Sequence, residues 1–97
     1  MIGAIAGDVI GSVFEWNNVK DVRFPLFSAE SAFTDDTVLT VAVADAFLNG
    51  KDYSAFIRRY ARAYPNRGYG GRFREWVASD DARPYNSLGN GSAMRAS

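Results

Sequence analysis

Neither cysteine nor histidine occurs among the 97 residues. Without cysteine there is no disulfide, no zinc–thiolate centre and no thiol nucleophile. Without histidine the commonest general base and transition-metal ligand is gone, so chemistry falls to carboxylates, hydroxyls and backbone groups. An excess of one charge is also missing. Eleven basic residues balance eleven acidic ones, which speaks against a general nucleic-acid or membrane-surface binder. No run reaches the ~18 apolar residues of a membrane span. The N-terminus lacks a basic leader and Asp8 interrupts its apolar stretch, so no secretory signal is expected and a cytoplasmic location is.

What is present suits one domain at most, 47% hydrophobic and able to form a single packed core. Residues 2–14 read as a helix. Ile2, Ile5, Ala6, Val9, Ile10 and Val13 form an apolar arc on a 3.6-residue wheel, and Gly3, Gly7 and Gly11 form a stripe beside it. Glycine at that spacing costs helix propensity and is tolerable where another backbone packs closely. Asp8, Ser12 and Glu15 share a third, polar face. Residues 17–33 form a long loop anchored by Phe24 and Phe27. The next helix runs from about Asp35 to Asn49 with Gly50 as its stop. Its segment from Val38 to Ala44 is apolar nearly all round, which belongs at the centre of a bundle. A third helix covers roughly Tyr53 to Tyr64, with Tyr53, Phe56, Ile57, Tyr60 and Tyr64 as its buried stripe and Arg58, Arg59 and Arg62 mostly outside it. Pro65 ends it. A glycine-rich turn over 66–71 leads to a short helix, Phe73 to Ala78, with Trp76 inward. Residues 79–91 are loop, and Ser92 to Arg95 read as the first turn of a further helix. The expected class is an all-α helical bundle.

Four constellations carry chemistry. Thr34-Asp35-Asp36-Thr37 opens the apolar helix with hard oxygen donors of the kind Mg²⁺ and Mn²⁺ take. The two carboxylates would point about 100° apart on a helix. Read alone, capping by Thr34 or Asp35 is the simpler explanation, because the helix dipole favours acids there. Asp8 and Glu15 lie on one helical face, placed for acid–base work or for holding ion-bound waters, although read alone a solvated face is the simpler explanation of the pair. Gly89-Asn90-Gly91-Ser92 presents backbone N–H groups to an anion such as phosphate, or is an Asn-Gly turn followed by a serine cap. Arg72, Arg74 and Arg83 could meet nucleic acid, but zero net charge favours a solvated surface.

Taken in order, Gly7-Asp8-Val9-Ile10-Gly11-Ser12-Val13-Phe14-Glu15, Phe33-Thr34-Asp35-Asp36-Thr37 and the run from Pro84 to Arg95 resemble the ADP-ribosylglycohydrolase family over nearly the whole chain. The resemblance implies an all-α fold around a binuclear Mg²⁺ or Mn²⁺ centre. It implies metal ligation by Thr34, Asp35 and Asp36, with Asp36 and Glu15 in catalysis and Glu15 at the scissile ribose. It also implies an ADP-ribose subsite at Gly89, Asn90, Gly91 and Ser92. Asp8 receives no catalytic role but a structural one, or one of supporting the ligands from behind. The implied reaction is metal-dependent hydrolysis of the glycosidic bond that links ADP-ribose to an acceptor, either a modified protein or a small ADP-ribosyl compound. In the family an Asp-x-Asp-Thr segment supplies further ligands, and nothing in this sequence matches it; Asp80-Asp81 has a different context. Residues 1–97 are therefore expected to be a single partial domain, resembling the N-terminal third of a larger all-α hydrolase-like fold. Exposed apolar surface, and hence self-association or a complementing chain, is expected with it. A non-catalytic module for ADP-ribose or metal, and a structural remnant that self-associates, stay open beside the enzyme. No nucleic-acid or membrane partner is expected.

Overall fold

The computed structural model describes residues 1–50, 52–81, 83–85, 87, 89 and 91. Among them there are four α-helices and no strand: α1 (Ile2–Gly11), α2 (Asp35–Asn49), α3 (Tyr53–Ala63) and α4 (Gly71–Ala78). A 3₁₀ turn, Ser12–Phe14, continues α1, so the expected first helix keeps its extent but tightens over its last three residues. The expected turn at Ser92–Arg95 lies outside the described residues.

Local chemistry sets the limits of α2. Thr34 has extended backbone, and its hydroxyl accepts from the Asp36 N–H at 3.4 Å. Asp35 and Asp36 occupy the first turn, where the helix dipole favours negative charge. At the other end the Gly50 N–H donates to Ala46 O at 3.1 Å. A Cβ at Gly50 would stand 2.7 Å from the Phe56 ring, so glycine lets α3 follow at once. Asp52 begins α3 by accepting from the Ala55 N–H at 3.2 Å.

α2 is the central helix, packed chiefly on α3 and secondarily on α1. Val38, Leu39, Thr40, Ala42 and Ala46 are buried along it. The core joins Val38 and Leu39 to Ala61 of α3, to Tyr69, and to Phe73 and Val77 of α4. Tyr69 stacks on Phe73 with ring centroids 5.3 Å apart and donates its hydroxyl to Tyr64 O at 2.6 Å. Burial, with Asp35 nearby, pushes the Tyr69 phenol up to about 12, so it stays a donor.

Two sequence expectations are corrected in α3. Its buried position is Ala61. Ile57 and Tyr60 pack partly against the core, whereas Tyr53 and Tyr64 are exposed. The small Ala61 lets α3 approach closely, and the large tyrosines then fall at the margins. Arg58 and Arg62 do not simply point to solvent. Arg58 donates to Trp76 O at 3.1 Å and to Asp81 O at 2.6 Å, with its guanidinium 4.1 Å above the Trp76 ring. Arg62 donates through Nε and Nη2 to Val77 O at 3.1 and 2.7 Å. Together they satisfy carbonyls at the C-terminal end of α4, where helices leave acceptors unpaired and the dipole attracts cations. Arg58→Ala should therefore lower stability by about 2 kcal/mol through lost charged hydrogen bonds and stacking. Urea titration should show a reduced midpoint, and an unchanged midpoint would contradict the capping role.

α1 is held differently. None of its residues is buried, and Cβ atoms at Gly3, Gly7 or Gly11 would meet nothing within 4 Å. The close backbone neighbour expected beside the glycine stripe is absent among the described residues. The chain exposes 6925 Å², against about 5,500 Å² for a compact protein of this mass. Ile2, Trp16 and Val22 are 85–92% exposed. What fastens α1 is the carboxylate of Asp8.

Candidate metal and hydrolase site

Asp8 is half-buried and accepts four hydrogen bonds from the start of α2. Its Oδ2 accepts from the Thr34 N–H at 2.7 Å, the Thr37 N–H at 3.2 Å and the Thr37 hydroxyl at 2.7 Å, while Oδ1 accepts the Thr34 hydroxyl. For Asp8 the solvated polar face is thereby corrected, while Glu15 is exposed: unpaired N–H groups at a helix start attract a carboxylate, and Asp8 serves them from another helix. Ser12, one turn further, donates to Val9 O at 2.8 Å and accepts from the Ala32 N–H at 3.1 Å, which pins the end of the long loop.

A second clamp closes on α2 from the loop after α3. Arg67 donates to Phe33 O at 3.3 Å, lies 3.7 Å over the Phe33 ring, and its carbonyl accepts the Asp35 N–H at 2.8 Å. Gly68 follows with φ +89°, a left-handed conformation, and a Cβ there would lie 3.8 Å from Asp35 Oδ1. Sequence reasoning gave Arg67 no role. The only available signal was the flanking Asn66 and Gly68, which mark a turn without revealing what the turn touches.

These contacts set the geometry of a cavity of about 340 Å³ lined by Gly7, Asp8, Gly11, Ser12, Phe14, Glu15, Thr34, Asp35 and Asp36. Glu15, Thr34, Asp35 and Asp36 thus face one space although they come from separate elements. Glu15 and Asp36 are exposed and Thr34 and Asp35 half-buried. The glycines have an observed use: Gly7 and Gly11 form cavity wall, where side chains would occupy the space. Neither Gly89 nor Gly91 lines this cavity; the Gly89 N–H donates to the Ser87 hydroxyl at 3.1 Å. Asn90 and Ser92 lie outside the described residues. The remaining acidic pair is engaged elsewhere, Asp80 with Arg62 at 3.6 Å and Asp81 with Arg83 at 2.7 Å.

Asp35 is pushed up to about 6, first by burial and then by the negative charges of Asp36 and Glu15. Its carboxylate is held among like charges in a partly dry wall, a setting that a cation would relieve. The donors are hard oxygens, correct in kind for Mg²⁺ or Mn²⁺. In number they are incomplete. Among the described residues no group of three or more carboxylates comes together as a metal cluster.

A folded-state value above the unfolded 3.8 means that the native chain binds its proton more tightly. That stability is fully present below about pH 4 and is lost as pH rises through about 6. Asp35→Asn should leave stability unchanged near pH 3.5 and raise it at pH 7.5 by about 1 kcal/mol, after discounting for solvent screening. Urea melts at the two pH values with a chelator present measure this, and an equal effect at both would contradict the assignment to Asp35.

No helix among the described residues is long and apolar enough to cross a membrane. Comparison with curated proteins and with solved structures gave no match. The family model described as ADP-ribosylglycohydrolase matches residues 1–97. With the helical fold and the shared cavity of the first two motifs in view, the chain belongs to the ADP-ribosylglycohydrolase family.

Proposed function

We propose that this chain supplies the Thr34-Asp35-Asp36 side of a divalent-metal site for hydrolysing the glycosidic bond between ADP-ribose and its acceptor. The observation that carries this reading is the convergence of Glu15 with Thr34, Asp35 and Asp36 on one cavity. A bound Mg²⁺ or Mn²⁺ would supply Lewis acidity and an acidified water. Thr34, Asp35 and Asp36 would hold it, with further oxygens from another segment or a complementing chain.

The chain's own groups then have defined tasks. Asp35 and Asp36 orient the ion for a reaction that passes through an oxocarbenium-like transition state. Glu15, which lines the same cavity, takes a proton from the attacking water. The water oxygen bonds to the anomeric carbon, the bond to the acceptor nitrogen or oxygen breaks, and the leaving atom takes up the proton that Glu15 removed from the water. The segment Gly89-Asn90-Gly91-Ser92 binds ADP-ribose through backbone N–H groups. Substrates are ADP-ribosylated protein or a small ADP-ribosyl compound, and the location is cytoplasmic.

Release of ADP-ribose from a modified peptide, followed chromatographically with Mn²⁺ and again with a chelator, tests the reading. Turnover with Mn²⁺ and its loss on chelation are expected; chelator-resistant turnover would contradict metal dependence. The incomplete carboxylate set favours a second reading, a non-catalytic module that binds ADP-ribose or metal. Calorimetric binding of ADP-ribose with Mg²⁺ but no turnover is its signature. The exposed Ile2, Trp16 and Val22 support self-association under either reading, and light scattering from a concentration-independent monomer would contradict it.

A further inference from the structure

The four bonds to Asp8 divide unequally between its two oxygens. Three donors converge on Oδ2, from the Thr34 N–H, the Thr37 N–H and the Thr37 hydroxyl. Only the Thr34 hydroxyl meets Oδ1. An ionised carboxylate solely accepts, so the hydroxyl proton of Thr34 is committed to Asp8. The Asp36 N–H donates to the same oxygen at 3.4 Å and uses one of its two lone pairs, which leaves the second on Thr34 Oγ1, an atom of the cavity-lining Thr34. A freely rotating hydroxyl would present its proton to a cation for part of the time, at a cost in electrostatic repulsion.

We propose that Asp8 is a positioning residue that locks the Thr34 hydroxyl as a pure acceptor toward a divalent cation. This rests on the metal reading above and adds a specific agent to it. Asp8 makes no bond to the ion. It acts through Thr34, fixing both the backbone N–H and the hydroxyl of that residue, and places its own negative charge on the cavity wall.

Asp8→Asn separates this role from simple tethering. The amide oxygen, facing three donors, takes the Oδ2 place, and the NH₂ group falls at Oδ1. Three hydrogen bonds survive. The fourth reverses, because the amide must donate to Thr34 Oγ1 and the hydroxyl proton must turn away, toward the cavity. The fold persists while the ligand is inverted.

Mn²⁺ binding, read as loss of the free-ion electron paramagnetic resonance signal, should weaken about tenfold or more in Asp8→Asn. Val77→Ala, a core change on α4 rather than on the helix that carries Asp35 and Asp36, is the control: it should lower stability more than Asp8→Asn yet keep wild-type affinity. Wild-type affinity in a folded Asp8→Asn chain would overturn the inference and leave the metal reading standing. So would equal weakening in both variants, since affinity would then merely follow stability. A wild-type chain that takes up no Mn²⁺ would overturn the metal reading, and this inference with it. Should Asp8→Asn not fold, proton NMR of the wild-type chain decides. A slowly exchanging Thr34 hydroxyl proton that shifts on adding Mg²⁺ supports the lock, and a Thr34 hydroxyl in free exchange with solvent overturns it.

Discussion

Asp36→Ala should reduce Mn²⁺-dependent ADP-ribose release by a factor of about 100 or more while costing under about 1 kcal/mol of stability. The two parts of this expectation have different causes. Asp36 is exposed at the first turn of α2, where water screens its charge and the favourable helix-dipole interaction is modest. In the proposed reaction it holds the ion, and losing one anionic oxygen ligand removes several kcal/mol of charge stabilisation, each 1.36 kcal/mol being tenfold in rate. Paired chromatographic assays and thermal melts of the same preparations measure both quantities. A variant that melts far below the wild type would make Asp36 structural, and one with undiminished turnover would remove it from the site.

Asp8→Ala should behave in the opposite way, destabilising the chain by about 3 kcal/mol even without metal. Its carboxylate is the shared acceptor for two N–H groups and two hydroxyls. Charged acceptors contribute about 1.5–3 kcal/mol per hydrogen bond, but donors on one group do not add independently. Alanine leaves two helix-start N–H groups short of a partner in a half-buried setting. It also releases α1, which buries none of its own residues. For a domain of this size the change corresponds to roughly 15 °C in melting temperature. Asp8→Asn, which keeps the accepting oxygen, should lose only about 1 kcal/mol. Differential scanning calorimetry of both variants checks the ordering, and equal melting points would show that α1 is held by something other than this carboxylate.

The limits of α2 were legible in the sequence because its signals are local: a threonine cap, acids in the first turn and glycine at the stop act within a few residues. The length and breakers of α3 were legible for the same reason. The buried face of α3 was not. Helical periodicity groups residues by angle, and only packing against α2 decides whether a small Ala61 or a large Tyr64 faces inward. Arg58 and Arg62 were placed outside by that angular rule, yet long side chains can reach back to carbonyls on a neighbouring helix.

The sequence by itself determined the chemical repertoire: no histidine, no cysteine, and oxygen donors gathered at the head of an apolar helix. It also carried the motifs of the family to which the whole chain matches. Only tertiary structure decided which donors meet. Asp8 bonds Thr34 across 26 residues of chain and Thr37 across 29, while Arg67 reaches Phe33 from 34 residues away. No local rule specifies such pairings. They form because a central α2, packed on α3 and α1, presents N–H groups at its start that need acceptors, and the Asp8 carboxylate of α1 reaches them.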